Sequence, residues 1–417
     1  MIFLLFIFIS SSAFATMENP NLIPLGEKES LMGNTGVSGV SSGAAVFYQP
    51  ADLVNLKKSF SLSGSTYLKF KLSSSAAVRI EDKDLPTQSS GFIGIPSSII
   101  SVHVEDGWAY AYGILVPSAL ELENKSFWKT DGPLSLDLDI NFLTKHEDMY
   151  ITGSIAKRVN SNFNIGVSLF VIKYSELNIS SLIGTSRTNS TISTSTSTRQ
   201  TLDAYLARLA LGIQYKTDNA TYGLRVLTPS IQLKASGDYF KNEVFTSGGV
   251  LTSSRVEHEE AEANWRVPLD ISLGSTFKLT EQLSLSSDLG YSFNQKFKRY
   301  DGFQAESNSV NLKHTLRVKS GIEFESSKLT KLYAGLIYNP SRLAELDEQA
   351  NNAEGVSRLD FYGLSVGSIF KNGKLNTGVG LYYLKAEGES YISGTTNEKS
   401  QLGLSIIGLT LSSSFEL

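Results

Sequence analysis

Period-2 alternation runs through most of this chain. In 283–293, Leu283, Leu285, Leu289, Tyr291 and Phe293 share one face, Ser284, Ser286, Asp288, Gly290 and Ser292 share the other, and only Ser287 breaks the apolar face. Phe163, Ile165, Val167, Leu169 and Val171 alternate with a polar set that begins Asn164, Gly166 and Ser168, and Ile271, Leu273 and Phe277 keep the same rhythm. A strand of this kind presents an apolar side and a polar side, as the wall of a barrel between lipid and lumen requires. Trp108, Tyr110, Tyr112, Ile114 and Val116 concentrate aromatics near one strand end, the pattern of an interfacial girdle. A soluble sandwich also alternates, so the connections decide. Tight polar turns are predicted at 160–162, 217–219, 280–282, 326–328 and Asn372-Gly373, and long polar connections at 175–203, 236–267, 296–310, 340–358 and 386–401. Short turns on one side and long loops on the other are the asymmetry of an outer-membrane barrel.

Counting back from the carboxyl terminus, where Leu409, Leu411, Phe415 and Leu417 share a face, gives about 11 strands beginning near Met149. Earlier candidates at 59–72, 98–105 and 107–116, with Asp106-Gly107 as a turn, bring the total to about 14. The stretch 117–148 is then a long outer loop, although 134–140 alternates and could form a strand instead. The fold class is therefore all-β: a transmembrane antiparallel β-barrel of about 14 strands with a short amino-terminal plug.

Composition narrows the class further. The 417 residues include no cysteine, so disulfides and thiolate metal sites are excluded. A net charge of −4 offers no basic surface for nucleic acid. The start, from Met1 through the apolar run Ile2–Ile9 to Ala13-Phe14-Ala15, reads as a signal peptide cut after Ala15, though it lacks the usual leading positive charge. No later stretch reaches the ~18 apolar residues that a spanning helix needs. The domains expected are a signal peptide over 1–15, a plug over 16–58 and a barrel over 59–417, in a bacterial outer membrane.

Little chemistry stands out. The four histidines divide between predicted strands (His103, His314) and loops (His146, His258), outside any catalytic motif, so no enzyme activity is expected. The acidic runs around Glu257, Glu259, Glu260 and Glu262, and around Glu345, Asp347, Glu348 and Glu354, read as solvated loops rather than cation sites. The Ser/Thr-rich stretch 185–199 reads as a mobile outer loop. Phe127 and Trp128 suit either surface capture of a ligand or a girdle.

About 40 residues before the first strand do not alternate, and their glycines at 33, 36, 39 and 43 suit a segment threaded into a lumen. This run ends in Tyr48-Gln49-Pro50-Ala51. It resembles the amino-terminal signature of the FadL/TodX family of outer-membrane transporters, an aromatic-x-Asn-Pro-Ala element after a glycine-rich run. Gln49 stands where the family has Asn, and its longer side chain does not reproduce the local bonding of Asn to its own turn. The stretch from Val267-Pro268 to Gly274 with the return strand from Thr280, the Tyr222–Arg225 segment with Thr228-Pro229, and Gly335–Asn339 look similar to other family strand ends.

The resemblance implies a barrel occluded by a hatch: ligand enters a hydrophobic site from outside, hatch movement opens a path, and a kinked third strand releases the ligand sideways. On that reading Gly33, Gly36, Gly39, Phe47, Tyr48, Pro50 and Ala51 belong to the hatch, and Gly113 allows the kink. The function implied is passive, hatch-gated transport of hydrophobic compounds such as long-chain fatty acids. The partners implied are apolar small molecules (fatty acids or hydrocarbons) and outer-membrane lipid, with a monomeric protein and no nucleic acid, cofactor or metal. A static plug, a barrel serving as a secretion or assembly scaffold, and a general solute porin are the competing readings.

Overall fold

The computed structural model describes Asn19 and residues 23–80, 83–131, 135–189, 191–301, 309–346, 357–391 and 398–417. The expected signal peptide lies outside them. After two one-turn helices, α1 (Lys28–Leu31) and α2 (Ala45–Tyr48), and a 3-10 turn over Pro50–Asn55, the chain is strand almost throughout. The strands are β1 (Ser59–Ile80), β2 (Lys83–Glu105), β3 (Trp108–Lys129), β4 (Leu136–Arg158), β5 (Phe163–Ser186), β6 (Ser193–Lys216), β7 (Ala220–Leu227), β8 (Ile231–Ser247) and β9 (Val250–Glu262). They continue as β10 (Asp270–Lys278), β11 (Leu283–Ser292), β12 (Gln295–Lys298), β13 (Ser309–Leu312), β14 (Thr315–Ser327), β15 (Thr330–Asn339), β16 (Ser357–Asn372), β17 (Leu375–Tyr391) and β18 (Lys399–Glu416).

Fourteen of these close an antiparallel barrel, in which β18 returns to β1 with Phe415 opposite Phe60. The remaining four are outer appendages. β8 takes the place of the short β7 beside the outer half of β6 and carries β9, while β12 and β13 form a separate hairpin. Closure leaves every wall strand paired on both sides, which satisfies its backbone in lipid.

The predicted faces hold. Leu289 and Tyr291 look outward, and Ser286, Asp288 and Ser292 look into the lumen. Ser287, the break in the apolar face, meets Ser320 of β14 on the outer surface at 3.3 Å. Outward aromatics lie in two bands. On β6, Tyr215 stands near the short turns and Tyr205 about ten residues higher, a rise of ~25 Å at ~3.3 Å per residue and ~40° tilt, which matches a lipid belt.

Several expected loops are strand. The stretch 117–148 is the outer part of a β3–β4 hairpin, the Ser/Thr-rich 185–199 includes the β5–β6 tip and the start of β6, and 236–267 contains most of β8 and all of β9. His146 and His258 are therefore in strands, and His314 falls just before one. The expected connections at 296–310, 340–358 and 386–401 lie partly outside the described residues.

The reason the alternation failed to reveal 117–148 is a change of parity. Leu115 and Ser118 of β3 face Tyr150 and Asp148 of β4, so Val116-Pro117 together oppose one residue and form a bulge. Inward positions are odd below it and even above it, which carries Val116 off the outward face of Trp108, Tyr110, Tyr112 and Ile114. β1 and β2 slip register too, near Tyr67 and Ser97. Phe127 is exposed about 20 residues above the Asp106-Gly107 turn, on the order of 25 Å beyond the belt, which excludes a girdle role. Accordingly, Leu211→Arg, midway between the two aromatic bands, should cost about 2–4 kcal/mol of folding free energy. Phe127→Arg should cost almost nothing, as urea titrations of refolding into lipid vesicles would report.

Candidate functional site

The segment from Ile23 to Val54 lies inside the barrel, where no bulk water is at hand to bond its peptide groups. Its backbone must therefore touch the wall. The wall permits this through four directly opposed glycine pairs on the inner face: Gly166–Gly212, Gly223–Gly274, Gly321–Gly335 and Gly367–Gly380. At each of the eight, an added Cβ would lie within 3.0 Å of an atom of Leu31–Gly33, Val37–Ser38 or Gln49–Ala51. Gly33 (φ +66°) rests against the Leu336 backbone of β15, and its N–H donates to Ser365 at 2.9 Å. Ser365 in turn donates to the Leu31 carbonyl at 2.8 Å.

Charged groups complete this contact. Asp288 accepts from the Gly36 and Val37 N–H groups at 2.7 and 3.1 Å. A side chain at Gly36 would collide with the ring of Tyr48, which is why glycine is needed there, whereas Gly39 has only ordinary contacts. Gln49, standing where the resembled family has Asn, places its amide nitrogen 2.7 Å from the Val37 carbonyl, 3.0 Å from Ile213 and 3.3 Å from Leu224. It thus ties hatch to wall instead of capping its own turn. Pro50 and Ala51 sit on Gly166 and Gly212. Phe47 packs on Tyr48, Tyr150 and Phe170 with ring centres 5.3–6.1 Å apart.

Within the hatch, Glu29 accepts from the N–H groups of Glu27 and Ser41 and from the Ser42 hydroxyl, so this buried carboxylate folds the segment on itself. Burial still raises its pKa above the ordinary carboxylate value. Burial, with Glu29 nearby and only Ser414 in relief, pushes Glu27 up to about 8. Burial also raises the Tyr48 hydroxyl.

Beside Phe47 lies a cavity of about 40 Å³, lined by Arg208, Arg225, Arg266, Arg317 and Arg342 against two acids, Asp148 and Asp270, with Tyr150, Leu227, Trp265 and Pro117 completing it. Asp270 binds Arg317 and Ser292 and lies 3.8 Å from Arg225. Arg225 donates to the Phe47 carbonyl at 2.9 Å, and its buried Nε has no bonding partner among the described residues. Arg208 donates to the Thr228 and Pro268 carbonyls, both at 2.6 Å. Trp265 covers the cavity, stacked on Tyr174 with centres 4.1 Å apart.

Pro117 connects this cavity to an interruption in the wall. Among the described residues, β2 and β3 pair only from Ser98–Leu115 down to Glu105–Trp108; above that level β2 follows β1 and β3 follows β4. Gly113 keeps regular partners on both sides, Ile100 and Thr152, so the departure of β3 lies at Val116-Pro117 and not at the glycine. The Ile23 N–H donates to the Pro117 carbonyl at 3.1 Å. Around Ile23 gather the inward apolar side chains Leu120, Leu122, Phe361, Leu384 and Leu404.

The structure thus brings together all the residues expected in the hatch and separates Gly113 from them. The arginine cavity and the glycine pairs escaped the sequence reading. Charges on the polar face of short alternating strands, such as Arg225, Asp270 and Arg317, were the available signal.

A family model described as outer membrane protein transport protein (OMPP1/FadL/TodX) matches residues 32–404. Solved structures share the fold. A Pseudomonas aeruginosa FadL homologue superposes with TM-score 0.68 at 14% identity, over 95% of this chain and 99% of its own. The P. putida toluene transporter TodX gives 0.64 at 14%, over 94% and 98%, and the CymD monoaromatic hydrocarbon channel 0.59 at 13%, over 95% and 98%. No curated protein matches the chain by sequence.

Two outcomes are predicted. Gly335→Val should drive the hatch off β15 and raise ion conductance in planar bilayers, while the barrel remains folded by heat-shift electrophoresis. Glu27 is neutral when seated and returns to an ordinary carboxyl on release, so its contribution to closure is complete below pH ~4.5 and is lost as pH rises to about 8. Leak should therefore increase between pH 5 and 9, and Glu27→Gln should flatten that profile; an equal rise in the variant would contradict the assignment.

Proposed function

The chain belongs to the OMPP1/FadL/TodX family of outer membrane transport proteins, and from that premise we propose that its cargo is an apolar chain ending in a carboxylate, a long-chain fatty acid being the simplest case. Transport of hydrophobic compounds at the outer membrane is common to this reading and to the channels that share the fold. The carboxylate is supported by one observation, the arginine excess of the cavity beside Phe47. Buried guanidinium groups are costly unless anions bond to them. A plain hydrocarbon would leave that cost in place, whereas a carboxylate would meet Arg225 and its neighbours with charge-assisted hydrogen bonds.

The cavity is too small for an acyl chain, so the tail needs other space. We assign it to the apolar cluster around Ile23, reached past Pro117 and next to the gap between β2 and β3. Cargo displaces Ile23–Leu25 from Pro117, lies with its head at the arginines, and leaves sideways through the gap. In this scheme the hatch gates only by its first residues, because Met32-Gly33, Val37-Ser38 and Pro50-Ala51 rest with their backbone on glycine pairs of the wall.

The test uses Trp265 as reporter, in a protein carrying Trp108→Phe and Trp128→Phe. Oleate should quench or shift its emission at least about tenfold more tightly than methyl oleate, since only the ionised head bonds to arginine. Arg225→Gln should weaken oleate by about tenfold or more and leave toluene binding unchanged. Equal affinity for oleate, its methyl ester and toluene would overturn the carboxylate assignment.

A further inference from the structure

We propose a binding site for a phosphorylated glycolipid of the outer leaflet on the outside of the barrel, where Lys173 and Lys234 flank Tyr205 at the top of the lipid belt. This inference depends on the outer-membrane location and not on the cargo.

Register places the three side chains in one row. Lys173 of β5 pairs with Tyr205 of β6, and Tyr205 pairs with Lys234 of β8, so all three share the outward face on which Tyr205 is exposed. Tyr205 belongs to the upper aromatic band, about ten residues and ~25 Å above Tyr215, which sets the row at head-group height. On the same outer wall, Lys145 binds Glu121 at 2.8 Å, and Asp203 accepts from Ser175 at 2.8 Å. Neither Lys173 nor Lys234 has an acidic partner among the described residues. Two unpaired ammonium groups on either side of a tyrosine, facing lipid, suit a phosphate that lies between them.

Directly above the row the wall is concave. A groove of about 520 Å³ is lined by the row next above Lys173 and Tyr205, formed by Ala119, Glu147, Ser175 and Asp203, with Lys145 and Thr201 of the row beyond. Its charges are mixed, which is unsuited to a second phosphate but provides the donors and acceptors that sugar hydroxyls need. Its size is in the range of a small-molecule site, about 300–1,000 Å³, enough for a disaccharide. A lysine pair below and a hydroxyl-binding groove above match a lipid whose phosphate is attached to sugar. A phosphoglycerol head would use the lysines and leave the groove empty.

The test is native mass spectrometry of the full-length protein titrated with monophosphoryl lipid A, and in parallel with phosphatidylglycerol. The wild type should retain lipid A at least about tenfold more strongly than phosphatidylglycerol. Lys173→Ala with Lys234→Ala should weaken retention of both lipids by about tenfold or more, Lys173→Arg with Lys234→Arg should keep it, and Asp203→Ala should weaken lipid A alone and so remove the preference. Heat-shift electrophoresis confirms that each variant is folded, and unchanged oleate binding separates a lost lipid site from a damaged lumen. Undiminished lipid A retention in the double alanine variant would overturn the proposal. So would equal retention of phosphatidylglycerol by the wild type, which would show only a preference for anionic lipid.

Discussion

A peptide threaded through a barrel carries N–H and C=O groups that cannot be left unbonded, and the arrangement of this lumen follows from that requirement. Side chains of ordinary size on the wall would hold the hatch backbone away from its partners. Opposed glycine pairs remove that obstacle: three of them, between β5 and β6, β7 and β10, and β14 and β15, seat hatch backbone, and the fourth, between β16 and β17, seats the Leu31 side chain. Asp288, Ser365 and the Gln49 amide then supply the bonds. On the remaining sector, β1 meets the hatch through hydroxyls: Ser65 donates to Pro24 O, and Ser63 accepts from Gly26 N. These are neutral hydrogen bonds, weaker than the charge-assisted bonds that Asp288 makes to Gly36 and Val37. The hatch therefore has a fixed body and a first stretch that is easier to release, and that stretch lies beside the gap in the wall.

The same gap explains why transport and stability do not conflict. β1, β2 and β3 each slip register near one level, so the wall bends there without losing closure below it, where Ser98 to Glu105 stay paired with β3. An opening is thus built into the outer part of the barrel while the periplasmic part stays continuous. The arginine cavity borders this opening through Pro117 and the hatch through Phe47, so a single ligand position touches all three elements.

Much of this was legible in the sequence. Alternation with short turns gave the barrel, its strand number and the faces of strands such as β5, β10 and β11, because these strands keep one parity from end to end. The glycine run with Tyr48, Pro50 and Ala51 pointed to a segment threaded into the lumen, where those three residues are buried. What was lost is instructive in physical terms. A bulge at Val116-Pro117 reverses inside and outside, and a reader counting every second residue then sees a loop. The Ser/Thr-rich start of β6 looked mobile because it buries little, yet its backbone is paired on both sides, with β5 and β8. The arginine cavity joins residues from eight separate stretches of the chain, and no local pattern encodes that meeting.

The claim that the hatch body stays in place while cargo leaves through the wall can be tested by one tether. The Ser38 and Thr276 hydroxyls lie 2.7 Å apart, one on the hatch and one on β10, and the protein has no cysteine of its own. In a Ser38→Cys, Thr276→Cys protein oxidised to the disulfide, the account predicts fatty-acid uptake into cells equal to that of the reduced form. Loss of uptake on oxidation, restored by a reductant, would mean that the whole hatch must leave its glycine contacts, and would contradict it.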